Sequence, residues 1–338
     1  MNFKRWIALG VAAVLLVFSL GLNTIMTLFK TDFFNSIDTA LGMSKDVEMY
    51  EYVVETGDWD NRIALLTVDG TIQDVGSNTA WSAVEYDHQL FLDQLDAIYN
   101  DESVKAVVLS INSPGGGVVE SAEIHKKLKE LKEQRKIPIY VSMGTMAASG
   151  GYYIAAPADK IFALKETITG SIGVIMQGIN YAELAEKVGV KFETIKSGPH
   201  KDMLGGTRDT TEEELAMLQE MIDEMYEDFV DVVEEGRGMS EVDVKKVADG
   251  RVLGGSQALK AGLVDEIGSL DETIAAVRAD FGLENAEVFE YAVGGDSFAS
   301  LIGMKVSSVF GPSVEERYLT RILTTHSAPR AMYLYGEF

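Results

Sequence analysis

The sequence predicts an α/β protein in which short apolar strands alternate with amphipathic helices. Two observations carry that expectation. Compact apolar runs end in turn signals, Asp69-Gly70 after one and Asn112-Ser113-Pro114-Gly115-Gly116-Gly117 after another. Between the runs, apolar residues recur three and four apart, the period of a helix with one buried face.

Taken in order, the predicted strands are Ile63–Val68, Ala106–Ile111, Ile137–Met143, Ile161–Leu164 and Phe192–Ile195. The predicted helices are His88–Tyr99, then Val118–Arg135 with Ile124, Leu128 and Leu131 on one face. A long helix starts at Thr211, carrying Leu215, Leu218, Ile222, Met225, Phe229 and Val232. Thr211 and Glu214 have the spacing of a capping box at its start. No internal repeat or low-complexity tract interrupts the chain.

The N-terminus predicts a membrane anchor within residues 1–30. Lys4 and Arg5 precede an apolar run from Trp6 to Leu22, and no further charge occurs until Lys30. Roughly 20 such residues span the hydrocarbon layer. Basic residues ahead of the run place the N-terminus in the cytoplasm and the body outside it. A cleaved signal peptide is the competing reading, but Asn23, Thr24, Ile25 and Met26 follow the run rather than small residues. Residues 31–58 read as an acidic juxtamembrane stalk, 59–281 as the α/β body, and 282–338 as a C-terminal extension.

Composition excludes several classes of function. The 338 residues hold 53 acidic and 29 basic side chains, a net charge of −24. Nucleic acid is an unsuitable partner, because phosphate binding needs clustered Lys and Arg. The absence of cysteine removes thiol chemistry, disulfides and Cys-based zinc sites together. No metal-ligand spacing of His, Asp and Glu is present, so neither a metal nor an organic cofactor is expected.

The strongest chemical signal is Met146-Ala147-Ala148-Ser149-Gly150-Gly151, where a predicted strand runs into a serine ringed by small residues and a helix begins. A serine on such a turn has the geometry of an activated nucleophile, with the amide of Gly150 free to hold an oxyanion. The loop Asn112–Gly117 is either a plain strand-to-helix turn or the source of a second oxyanion donor. It is not a phosphate loop, since no Gly-Lys-Ser/Thr follows.

Two residues compete as general base, and both lie in Ser197-Gly198-Pro199-His200-Lys201-Asp202. Histidine is the usual partner of a catalytic serine. A lysine serves if desolvation keeps it neutral near physiological pH, although on spacing alone Lys201 reads as a surface residue. His125 sits among Lys126, Lys127 and Lys129 and reads as solvent-exposed, and His88 and His326 have no local cue. Ser171, in Thr169-Gly170-Ser171-Ile172-Gly173, is either a turn residue or the group that orients the base.

Jointly, Asn112–Gly117, Met146–Tyr153, Gly170–Val174, Ser197-Gly198 with Lys201-Asp202, and the block from Asp249-Gly250-Arg251-Val252 to Gly262-Leu263-Val264-Asp265 resemble the bacterial signal peptide peptidase A family. Its short, single-repeat, membrane-anchored form fits best. The resemblance implies a Clp-protease/crotonase-like fold of repeated β-β-α units and a Ser-Lys dyad. Ser149 is then the nucleophile and Lys201 the base, Ser171 holds the lysine, and the amides of Gly116 and Gly150 form the oxyanion hole. Remnant signal peptides or other apolar peptides are the implied substrates, and a ring-like homo-oligomer whose neighbours complete the groove is the implied assembly. One departure stands out: Gly205-Gly206-Thr207-Arg208 replaces the family's Ser-Pro-x-Arg after the lysine.

Other readings keep the fold or abandon catalysis. A protease acting on a stomatin-like membrane scaffold protein, a non-catalytic membrane-anchored scaffold and a crotonase-type coenzyme A enzyme are the alternatives, and the anchor counts against the last. The tail from Ala328 to Tyr335 is extended in character, and fits either a packed final strand or a segment lying in a groove.

Overall fold

The computed structural model describes residues 49–74, 86–293 and 330–336. The predicted anchor and most of the predicted stalk lie outside these residues. Among the described residues no helix is long and apolar enough to cross a membrane. The chain divides into two compact units, residues 1–50 and 51–338, and all the candidate site residues fall in the second.

The strands are β1 (Met49–Glu55), β2 (Asp58–Asp69), β3 (Val104–Ser113), β4 (Gly115–Gly117), β5 (Ile139–Ala148), β6 (Lys160–Ala163), β7 (Ile168–Gly170), β8 (Val252–Gly254), β9 (Glu266–Ile267), β10 (Ala286–Val293) and β11 (Met332–Leu334). The main sheet runs β1-β10-β2-β3-β5-β6-β9, with β7 and β8 added at the end of β5. From β10 to β9 every pairing in that order is parallel. Burial explains the arrangement: Ile63–Leu66 and Ala106–Leu109 are covered on both faces, as parallel strands require.

Two apolar layers follow from the period-two alternation of the strands. Ala64, Leu66, Val107, Leu109 and Val141 face one layer, which includes Ile124, Leu128 and Phe229. Ile63, Leu65, Ala106, Val108 and Tyr140 face the other, against Ile274 and Val277.

The helices are α1 (His88–Asn100), α2 (Val118–Glu130, continued by a π turn at Leu131–Arg135), α3 (Gly150–Ala155), α4 (Ala182–Lys187), α5 (Glu212–Arg237), α6 (Glu241–Lys245), α7 (Gly255–Lys260) and α8 (Leu270–Phe281). The capping box at α5 is present, with Thr211 and Glu214 satisfying each other's backbone amides. The buried apolar residues of α5 lie in its C-terminal part, at Phe229, Val230, Val232 and Val233, while Leu215 is 51% exposed.

Three elements depart from the sequence reading. The predicted strand Phe192–Ile195 is irregular and exposed, because among the described residues no other strand lies alongside to pair with it. β1 occupies part of the expected stalk, tied by Glu51 to the buried Arg62 at 2.6 Å. β10 and β11 fall in the expected C-terminal extension, yet β10 is an inner strand of the main sheet and β11 pairs with β4. The sheet needs β10 because β2 would otherwise expose the apolar row Ile63–Leu66 along an unpaired edge.

Candidate active site

Ser149 joins β5 to α3 in a conformation that an L side chain adopts only under constraint, φ 53° and ψ −117°. Such a residue stores about 1–3 kcal/mol of strain, so its surroundings must hold it. They do so through the backbone. Its N–H donates to the Gly170 carbonyl at 2.8 Å, and its carbonyl accepts from Tyr152 and Tyr153 at 2.9 Å each. The residue is 1% exposed. Gly170 reaches Ser149 because β7 pairs with the end of β5, Ala148 opposite Gly170. Ser171 follows directly, buried and also at positive φ (51°), with its N–H on the Arg251 carbonyl at 2.7 Å.

The glycine loop folds as a short strand, β4, between two others. On one side Ile72 bridges Gly116 in parallel, donating its N–H to Gly115 and accepting from Gly117 at 2.9 and 2.8 Å. Alternation along the strand then turns the N–H and C=O of Gly116 to the opposite side. That side is filled by β11, antiparallel, with Tyr333 opposite Gly116. The crowding accounts for the glycines: a Cβ at Gly116 would lie 1.8 Å from the Ile72 oxygen, and one at Gly115 (φ 101°) only 2.0 Å from the Tyr333 oxygen.

Gly150 belongs to the same cluster. A Cβ there would stand 3.1 Å from the Gly116 nitrogen and 3.1 Å from the Tyr333 oxygen. The Gly150 nitrogen is itself 2.6 Å from the Cβ position of Gly115. The structure thus gathers Ser149, Gly116 and Gly150, with a peptide carbonyl standing beside the two glycines. Behind Gly150 lies the Ser121 hydroxyl, buried and without a hydrogen-bond partner among the described residues.

The tail strand is held like an extended peptide. Met332 exchanges two hydrogen bonds with Ile175, at 2.9 and 3.0 Å, and the Tyr335 N–H donates to Pro114 at 2.9 Å. The Tyr333 ring is 1% exposed, stacked on Tyr153 with centroids 4.9 Å apart and tilted against Phe229 at 4.7 Å. Its hydroxyl donates to the Met225 carbonyl at 3.0 Å, and burial pushes its pKa well up.

Lys201 makes no hydrogen bond to Ser149 among the described residues. It is exposed, and its ammonium makes no hydrogen bond or ion pair among the described residues. Its loop is nonetheless anchored: Arg208 pairs with Asp202 and with Glu214, both at 2.6 Å. Arg208, the one residue shared with the Ser-Pro-x-Arg pattern of the resemblance, thus holds the loop, and Gly206 (φ 75°) fits against the Ile179 oxygen where a side chain would collide. The Arg208 guanidinium, helped by the Thr211 amide, holds the Glu214 carboxyl far below the usual carboxylate range.

His200 is drawn into that anchor, with Nδ1 3.3 Å from Glu214. His125 is half-buried rather than solvent-exposed, edge-on to Tyr153 at 5.3 Å. Burial, reinforced by Lys129, lowers its pKa to about 4. His88 is buried between the Tyr86 hydroxyl and Glu123, each at 2.8 Å. Sequence reasoning passed over Glu120, which is 8% exposed in the first turn of α2 and meets Arg330. Its signal was a carboxylate in the turn directly after three glycines. Among the described residues no group of His, Asp and Glu could hold a metal ion.

Comparison with known proteins finds similarity to peptidases. The profile of peptidase family S49 matches residues 131–284, and that of Clp protease matches residues 80–179. A protein of Enterococcus faecium named as a candidate signal peptide peptidase SppA is 42% identical over 345 residues, covering 99% of both chains. Protease 4 of Haemophilus influenzae is 32% identical over 303 residues, 81% of this chain and 46% of its own. The chloroplastic serine protease SPPA of Arabidopsis thaliana is 33% identical across 64% of this chain and 32% of its own.

Proposed function

Because this chain belongs to peptidase family S49 and is on that ground a serine peptidase, we infer that it is a membrane-anchored endopeptidase that degrades remnant signal peptides with a Ser149–Lys201 dyad. The observation that carries this reading is the seat of β11. An extended segment lies beside the glycine strand with its carbonyl next to Gly116 and Gly150, and with an aromatic side chain in an apolar pocket. A substrate strand in that seat presents its own carbonyl to the serine.

The chemistry follows from that placement. Neutral Lys201 takes the proton of the Ser149 hydroxyl as the oxygen attacks the peptide carbon. The amides of Gly116 and Gly150 hold the developing oxyanion, an interaction worth about 10²–10³ in rate for each donor. Protonated Lys201 then gives its proton to the leaving amine, and water hydrolyses the acyl-enzyme. Ser171, which directly follows the residue that bonds Ser149, would orient the lysine once it is buried there.

A lysine acts as a base only when desolvated, and on this protomer Lys201 is exposed. The segment leading to it is equally uncovered: Ile179, Leu184, Val188 and Ile195 are 58%, 64%, 68% and 103% exposed. A neighbouring copy packed over this apolar segment would bury the lysine beside a serine and complete the groove. Assembly into a ring-like homo-oligomer is therefore part of the proposal. So are a single-pass anchor with a cytoplasmic N-terminus and a body outside the cytoplasm, resting on Lys4, Arg5 and the run Trp6–Leu22.

The test is hydrolysis of a leucine-rich peptide by the full chain in detergent. Ser149→Ala and Lys201→Ala are expected to lose at least about 10³-fold in kcat/KM, while His200→Ala retains most of its activity. An active Lys201→Ala beside an inactive His200→Ala would replace the lysine base with a histidine.

A further inference from the structure

Glu120 is nine-tenths buried at the mouth of this groove, and its carboxylate has an unusual set of neighbours. It folds back over Gly117, where a Cβ would lie 1.8 Å from Oε2. Its Oε1 accepts the Asp74 N–H at 3.2 Å and pairs with the Arg330 guanidinium, also at 3.2 Å. Arg330 stands three residues before Tyr333, the residue opposite Gly116. Among the described residues, the one cation on this carboxylate thus comes from the segment leading into the strand that fills the proposed substrate seat.

The surroundings carry the same sign. Burial, and then the charges of Glu120, Asp87, Glu123 and Asp74, push the Tyr86 hydroxyl far up. When the tail leaves, Arg330 leaves with it, and a buried carboxylate without its cation is costly. An incoming peptide restores the pairing if it brings a positive side chain to the same position. An acidic side chain there would meet like charge at short range.

We propose that Glu120 forms a specificity subsite that takes an arginine or lysine side chain three residues on the N-terminal side of the residue whose carbonyl is attacked. The proposal rests on the peptidase reading above and adds to it where the cut falls. Signal peptides carry a basic segment followed by an apolar run. Such a substrate would seat its last basic residue on Glu120 and its first apolar residues along β4, so cleavage falls at the head of the apolar run. The net charge of −24 favours the approach of such peptides.

The experiment uses the full chain in detergent with four fluorogenic peptides, identical except for Arg, Lys, Ala or Glu at that position. The tail competes equally with all four, so ratios of kcat/KM are free of its occupancy. Wild type is expected to prefer Arg and Lys over Ala by about tenfold or more, the scale of a charge-assisted hydrogen bond, and Glu to be cleaved most slowly. In Glu120→Gln the Arg-to-Ala ratio falls to near one, and in Glu120→Lys the Glu peptide overtakes the Arg peptide. Equal values for all four peptides in wild type overturn the subsite while leaving the peptidase reading intact. An unchanged Arg-to-Ala ratio in Glu120→Gln overturns it as well. Should the variants fail to fold, the wild-type series decides alone. Cleavage of none of the peptides, or cleavage that survives Ser149→Ala, overturns the peptidase reading and the subsite with it.

Discussion

Tyr333→Ala is expected to raise turnover and lower stability at once. The ring is 1% exposed, packed between Tyr153 and Phe229, with its hydroxyl on the Met225 carbonyl. Truncating so large a buried aromatic costs about 3–5 kcal/mol. At about 1.4 kcal/mol per factor of ten, the docked-to-undocked ratio of the tail falls by roughly 10² to 4 × 10³. A tail that occupies the substrate strand in the wild type then leaves it open in most molecules. The value of kcat/KM for a short apolar peptide rises by the inverse of the open fraction, up to that same limit. The assay is peptide hydrolysis normalised to titrated serine, run beside thermal unfolding, with deletion of 328–338 as the parallel variant. A purely architectural strand would lower both readouts. A native-like fold with unchanged or reduced kcat/KM in both variants would refute the idea that the tail covers the groove.

Further predictions follow from the same geometry. Gly150→Ala places a Cβ 2.6 Å from the Ser121 oxygen, so, on the proposed oxyanion role of its amide, kcat is expected to fall by about 10²-fold or more, with the overpacking lowering stability by about 1–3 kcal/mol. His125, lowered to about 4 by burial and Lys129, binds fewer protons folded than unfolded. Its unfolded value is about 6.5, so stability declines as pH falls from there towards 4, by at most about 3 kcal/mol at 1.36 kcal/mol per pH unit. His125→Phe should flatten that slope in urea titrations, and an identical slope would count against the burial argument. Arg208→Ala removes the cation shared by Asp202 and Glu214. Faster proteolysis of residues 196–209 and a loss of activity are expected, with the core transition unmoved. Because both carboxyls are held below their usual range, the wild-type loop keeps its anchor until pH falls well below the ordinary carboxylate values.

The legible and illegible parts of this chain divide by the range of the interactions that decide them. β2, β3 and β5 were readable because burial on both faces leaves an unbroken apolar run, and α5 announced itself by Thr211 and Glu214. Ser149 was readable because a strained turn excludes large neighbours, and only Ala147, Ala148, Gly150 and Gly151 surround it. β1, β10 and β11 were not, because each depends on a partner far away in sequence. β10 joins β2 from more than 200 residues on, and β11 is three residues long. The error at Phe192–Ile195 is the converse: β-prone residues without a neighbouring strand remain irregular. His125 misled because its charged neighbours dominate the local sequence. Its spacing of four from Ser121 places it beside the buried row of Ser121, Ile124 and Leu128.

The three consecutive glycines bring the local and the long-range arguments together. Each is required by a different neighbour: Gly115 by the Tyr333 carbonyl, Gly116 by Ile72 and Gly117 by the Glu120 carboxylate. None of these is adjacent in sequence to the residue it constrains, and on the proposed reading they together line the groove from the oxyanion amide to the acidic mouth. A side chain at any one of them would move a different part of that groove. By contrast, the loop that carries Lys201 is held by the Arg208 cluster and packs little of its apolar surface. Rigidity is thus concentrated where a carbonyl must be held within tenths of an ångström. The proposed base resides on a segment that leaves Ile179, Leu184, Val188 and Ile195 uncovered, so burying that surface and switching on the lysine would be one event. Activity would then depend on protein concentration through assembly, and the serine turn, already strained and satisfied, would need no rearrangement when the lysine arrives.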